Sequence, residues 1–133
     1  MQASIALQKA IYEALITDSI LINDLGGAYV FDSVPINQEL PFVQFGKLTS
    51  KDWSTSTENG DEHEIEIFIW SCHKGRKQLL ELAAQVESTI TALAGVHDEH
   101  TIIDIQCTQT VTQYDVKSGN FKATLTYRCV SES

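Results

Sequence analysis

The chain has 133 residues, 43% of them hydrophobic, enough for one buried core and too few for two ordinary domains, so a single domain over 1–133 is expected. Nine Lys plus Arg stand against eighteen Asp plus Glu, and a formal charge of −9 repels a phosphate backbone, which argues against sequence-independent DNA binding. MQASIALQKAIYEAL carries no basic leader with an apolar core and cleavage site, and no apolar run approaches the roughly 20 residues of a bilayer span, so neither secretion nor a membrane partner is expected.

From Ser4, read as an N-cap, Leu7, Ile11, Ala14 and Leu15 share one face at helical spacing. This first helix ends near Asp18 or runs on through Ile20 to Leu25, where Gly26 and Gly27 stop it. Tyr29 to Phe31 reads as a short strand. Pro41 then opens FVQFGKL, whose composition is that of a strand. Residues 49–60 turn polar around Trp53 and read as a loop or the tip of a long hairpin, a candidate for partner contact.

The next segment alternates with period two. Ile65, Ile67 and Ile69 fall on one face, and Glu62, Glu64, Glu66, Phe68 and Trp70 on the other. The isoleucine face is core. The opposite face begins as carboxylates and ends as aromatics, so one end meets water and the other is covered by this chain or a neighbour. After Gly75, Leu79, Leu82, Ala83, Val86, Ile90 and Leu93 form a one-faced helical stripe that Gly95 is placed to end. TIIDIQCTQTVTQY and NFKATLTYRCV read as two strands joined through DVKSG. The order predicts an α+β domain: a mainly antiparallel sheet of about four to five strands with two helices packed on one face.

Chemistry-bearing patterns are sparse. Cys72 and His73 are adjacent, but neighbours on a strand point to opposite faces. In HDEH, His97 and His100 bracket Asp98 and Glu99, a set that binds metal in other contexts but here reads as a solvated turn. Cys72, Cys107 and Cys129 include no CxxC pair and read as reduced thiols, with Cys107 and Cys129 almost opposite each other if the last hairpin is regular. Three like charges at Glu62, Glu64 and Glu66 repel, so they face water or a wide channel. No GxxxxGK[ST], GxGxxG or GxSxG occurs, and aromatics do not alternate with basic residues. No catalytic, cofactor or metal residues are assigned, and none of these functions is expected.

The N-terminal helix ending in glycine, LPFVQFG, the polar loop, and EIEIFIWSCHKG leading into RKQLLELAAQVESTITAL together resemble the tail completion or tail terminator proteins of long-tailed phages, prophages and gene transfer agents. Pro41–Phe42–Val43, Trp70–Ser71 and Gly75 carry most of that likeness. The resemblance implies a non-enzymatic virion protein: an α+β subunit of a homo-oligomeric, usually hexameric ring that caps the tail tube, halts its polymerisation and meets the head connector. Its implied partners are the tail tube protein and the head–tail connector protein, with DNA passing through unbound. Assembly would take place in the host cytoplasm and the mature location would be the virion tail. Trp53, Phe68 and Trp70 are then candidate subunit or tube contacts, and Glu62, Glu64 and Glu66 candidate acidic lining of the bore. A head-side connector or neck protein is the alternative within the same class, and a small α+β enzyme or ligand-binding domain the alternative outside it.

Overall fold

A computed structural model describes residues 2–72 and 75–132, which form three helices and six strands. The helices are α1 (Gln2–Thr17), α2 (Ser19–Leu25) and α3 (Lys77–Thr91). The strands are β1 (Val30–Phe31), β2 (Phe42–Asp52), β3 (Gly60–Ser71), β4 (Gly95–His97), β5 (His100–Asp115) and β6 (Asn120–Glu132). They make one sheet in the order β1-β2-β3-β6-β5-β4, antiparallel except where β1 runs parallel to β2. The class is the expected α+β, with three helices in place of two and six strands in place of four to five.

One core lies between the helices and one sheet face. Ile65, Ile67 and Ile69 are buried as the alternation requires, with Val43 and Phe45 from β2 and Ala123, Leu125, Tyr127 and Cys129 from β6. Leu7, Ile11 and Leu15 of α1, Leu21 and Leu25 of α2, and the α3 stripe Leu79, Leu82, Ala83, Val86 and Ile90 close over them. Each fully buried Leu, Ile, Val or Phe among them contributes about 1.5–3 kcal/mol of burial.

Asp18 divides the first helical run in two. Its Oδ1 accepts from the backbone N–H groups of Ile20 and Leu21, both at 3.0 Å, so it is the N-cap of α2. Its Oδ2 accepts from Gln85 Nε2 at 2.9 Å and from the Thr89 hydroxyl, which pins the break onto α3. Gly26 ends α2 in the left-handed region at φ 87°, its N–H and that of Gly27 reaching Ile22 O.

Several expectations are corrected. Ser4 lies inside α1 rather than capping it, and its hydroxyl meets that of Ser50 on β2 at 2.7 Å. For 49–60 the hairpin alternative holds, since Thr49–Asp52 pair with Asp61–Glu64 and only 53–59 connect the strands. α3 stops at Thr91, and Gly95 opens β4, a strand too short to show periodicity. Cys107 faces Tyr127 and Cys129 faces Ile105, the bulge between Cys107 and Gln109 having shifted the register by one residue from the Cys107–Arg128 pairing of an unbroken hairpin. All three cysteines are free thiols, and burial pushes Cys129 up to about 12.

Tyr127 is fully buried, and among the described residues its hydroxyl has no well-formed hydrogen bond. Burial, followed by the nearby Cys107, holds its pKa well above the usual phenol range. A buried hydroxyl without a partner costs about 1–3 kcal/mol of desolvation. Tyr127→Phe is therefore expected to raise stability by about 1 kcal/mol in urea unfolding, whereas a loss of similar size would mean that the hydroxyl is bonded.

Candidate functional site

The helix-free face of the sheet carries the residues that the core leaves over. Strand alternation turns Glu62, Glu64, Glu66, Phe68 and Trp70 onto it, beside Phe42 and Gln44 from β2 and Lys122 and Arg128 from β6. The carboxylates are not equivalent. Lys51 Nζ lies 2.9 Å from Glu62 Oε1, and Arg128 grips Oε2 through Nη2 at 2.5 Å and Nε at 2.7 Å. The hydrogen bonds from Lys51 and then Arg128 hold the Glu62 carboxyl below the usual carboxylate range. Its charge is thus locally neutralised. Glu64 is exposed and Glu66 half-buried, and neither appears in an ion pair among the described residues.

At the other end, Phe68 lies over Gly46, where an added Cβ would stand 2.6 Å from its ring. Lys122 Nζ sits 4.0 Å from the Phe68 centroid and 5.2 Å from that of Trp70. Trp70 Nε1 donates to Gln44 Oε1 at 3.1 Å, and its ring contacts Phe42 at 6.5 Å. Phe42 in turn meets Phe31, and Phe31 stacks on Tyr29, extending the aromatic row to β1. The partial cover on Phe68 and Trp70 comes from Lys122 and Gln44 of the same sheet, since α1 packs on the opposite face. Gly46→Ala is expected to cost about 1–3 kcal/mol by forcing the ring aside. Adding Phe68→Leu should recover part of that loss, and a double-mutant cycle in denaturant checks it.

Trp53 stands apart at the far end, where β2 meets the 53–59 turn, and is 49% exposed. Its backbone N–H closes the hairpin to Gly60 O at 2.9 Å. The structure therefore separates the candidate contacts into an aromatic group around Trp70 and a lone ring at the hairpin tip. Surface hollows are open to solvent, such as one of about 170 Å³ lined in part by Lys51, Glu62 and Arg128.

Sequence reasoning missed His63. It shares the isoleucine parity on β3 and is fully buried, with Nδ1 2.6 Å from Ser50 Oγ and Nε2 2.9 Å from Ser131 Oγ. The parity was a usable signal for its burial, but its partners lie on β2 and β6. A serine beside an imidazole invites a catalytic reading. Here both ring nitrogens are engaged by hydroxyls and no carboxylate orients the ring, so the arrangement ties α1, β2, β3 and β6 together.

HDEH is a hairpin turn: Asp98 and Glu99 take left-handed φ of 48° and 69°, and Asp98 pairs with Lys9 at 3.0 Å. His97 Nε2 donates to Leu93 O at 2.7 Å. Among the described residues no cluster of metal-binding side chains occurs. Cys72 is exposed, and His73, its companion in the adjacent pair, lies outside the described residues. No described helix is long and apolar enough to cross a membrane.

Residues 9–132 match the family described as Tail completion protein gp17. A chain in the solved virion of a native gene transfer agent (GTA) particle is 25% identical, with a TM-score of 0.84 over 98% of this chain and 97% of that one. No curated protein sequence matches. These likenesses define a structural protein of phage-type tails, not an enzyme. The chain belongs to the tail completion protein gp17 family.

Proposed function

We propose that the protein forms a ring, six copies in the simplest case, on the head-proximal end of a tail tube, where it stops tube polymerisation and presents a surface to the head connector. The carrying observation is the near-full-length likeness to a chain of a gene transfer agent virion. Its partners are further copies of itself, the tail tube protein and the connector, assembled in the host cytoplasm and retained in the virion. A single open sheet with helices on one side suits a subunit that joins neighbours head to tail around a closed ring.

Glu64 and Glu66 face the bore in this reading, where negative charge keeps DNA from adhering as it passes. Glu62 contributes less, being neutralised by Lys51 and Arg128. Trp53, Phe68 and Trp70 supply contact surface to neighbours or the tube. Particles assembled without the protein are expected to carry overlong or unstable tails. Finished tails of normal length that merely fail to attach heads would instead indicate a connector on the head side.

A further inference from the structure

Both edges of the sheet are largely open. β1 covers β2 only at Val43 and Gln44, leaving 45–52 unpaired on that side. β4 covers β5 only at 100–102, leaving 103–115 unpaired. Exposed edges are ordinarily protected by charge, proline or brevity. β5 has none of these over its distal half: residues 105–114 contain no charged residue and no proline, and 109–115 pair with β6 in unbroken register beyond the last bulge. Val111 and Tyr114 are 40% and 52% exposed there.

The two edges also differ in charge. The open side of β2 carries Lys47 and Lys51 with Asp52, while that of β5 carries Asp104 and Asp115 and no cation. Lys47 is exposed and engaged in no ion pair among the described residues. Directions agree as well. Three successive antiparallel pairings make β2 and β5 run oppositely, and a rotation about a ring axis preserves each sense. A β5 edge meeting the β2 edge of the next copy therefore forms an antiparallel ladder of ordinary strand length.

We infer that copies of this chain join by strand addition, residues 110–114 of β5 in one copy pairing antiparallel with 48–52 of β2 in the next, so that one continuous sheet runs around the ring. This rests on the ring reading and adds its interface. The contact is heterologous, each copy using two different surfaces, which closes into a ring when the rotation per copy permits. With this register Lys47 of one copy approaches Asp115 of its neighbour.

The test uses a mixture of ¹⁴N- and ¹⁵N-labelled protein assembled on purified tail tubes and treated with a zero-length carboxyl–amine cross-linker. Mixed-isotope peptides linking Lys47 to Asp115 are expected. In parallel, Gln109→Lys/Val111→Lys, both at exposed positions, places cations on the charge-free edge and is expected to cut ring formation at least tenfold while leaving the circular dichroism and unfolding midpoint of the free chain unchanged. Rings whose inter-copy links join other surfaces, or undiminished rings from the double variant, overturn the strand-addition interface and leave the ring itself standing. Absence of any ring from the unmodified chain on tubes overturns both.

Discussion

Asp18→Ala is expected to lower the unfolding free energy by about 3 kcal/mol, among the largest losses from any single polar side chain here. Loss of an N-cap accounts for about 1 kcal/mol of that. The remainder comes from the Gln85 and Thr89 bonds to a charged acceptor, a class of bond worth about 1.5–3 kcal/mol. Burial raises the Asp18 pKa, but the bonds from Thr89, Leu21, Gln85 and Ile20 together outweigh it and hold the carboxyl below its ordinary 3.8. Its stabilisation is thus present above pH 3.8 and lost as pH falls through the lower folded value. Asp18→Asn keeps the cap through its carbonyl oxygen but presents an amide to Gln85 and Thr89, so a loss of about half that of alanine is expected. Chemical denaturation of the three proteins at pH 7 checks the order. An Asn variant as unstable as the Ala variant would mean that the cap contributes little.

His63→Ala is expected to cost about 2–3 kcal/mol, since it removes two hydrogen bonds and leaves a cavity beneath the Ser50 and Ser131 hydroxyls. A second signature separates this residue from ordinary core. Burial lowers the His63 pKa below 6.5; Asp61 pulls the other way and His100 adds to the lowering. The imidazole therefore takes up its proton at lower pH in the fold than in the unfolded chain, which does so near pH 6.5. Stability from His63 is therefore complete above pH 6.5 and declines as pH falls from there toward the lower folded value. Carboxylates such as Asp18 enter only below about pH 4. Unfolding midpoints at pH 7.5 and pH 5.5 should differ in the native chain, and the difference should shrink in His63→Ala or His63→Leu. Equal pH slopes in native and variant chains would place the titrating group elsewhere.

The sequence periodicities carried the parts of the fold in which one element decides its own face. Ile65, Ile67 and Ile69 alternate without interruption, and the α3 stripe repeats at helical spacing, so both were readable in isolation. β4 was not, because three residues with one apolar side chain owe their strand to pairing with β5. The β5 bulges were equally silent, and the one after Cys107 moved its partner from Arg128 to Tyr127. Asp18 was half legible: the sequence marked it as a boundary, while its bonds to α3 join residues 67 and 71 positions apart.

The surface divides in the same way. Alternation placed Glu62, Glu64 and Glu66 in one row, yet only the register of β2 and β6 shows that Lys51 and Arg128 neutralise the first of them. Gly46 owes its identity to Phe68 on the adjacent strand, a dependence with no trace in local sequence. The open edges of β2 and β5 are likewise a property of strand order, which composition cannot supply.

The proposed ring of this chain sits at one end of a tail tube. It is tested most directly by incubating purified protein with tubes from particles that lack it, then imaging both tube ends by electron microscopy. A closed ring of copies with an open bore is expected at the head-proximal end only, with no further tube growth when subunits are added. Protein bound along the tube wall, or at neither end, or tubes that keep lengthening past a bound ring, would contradict it.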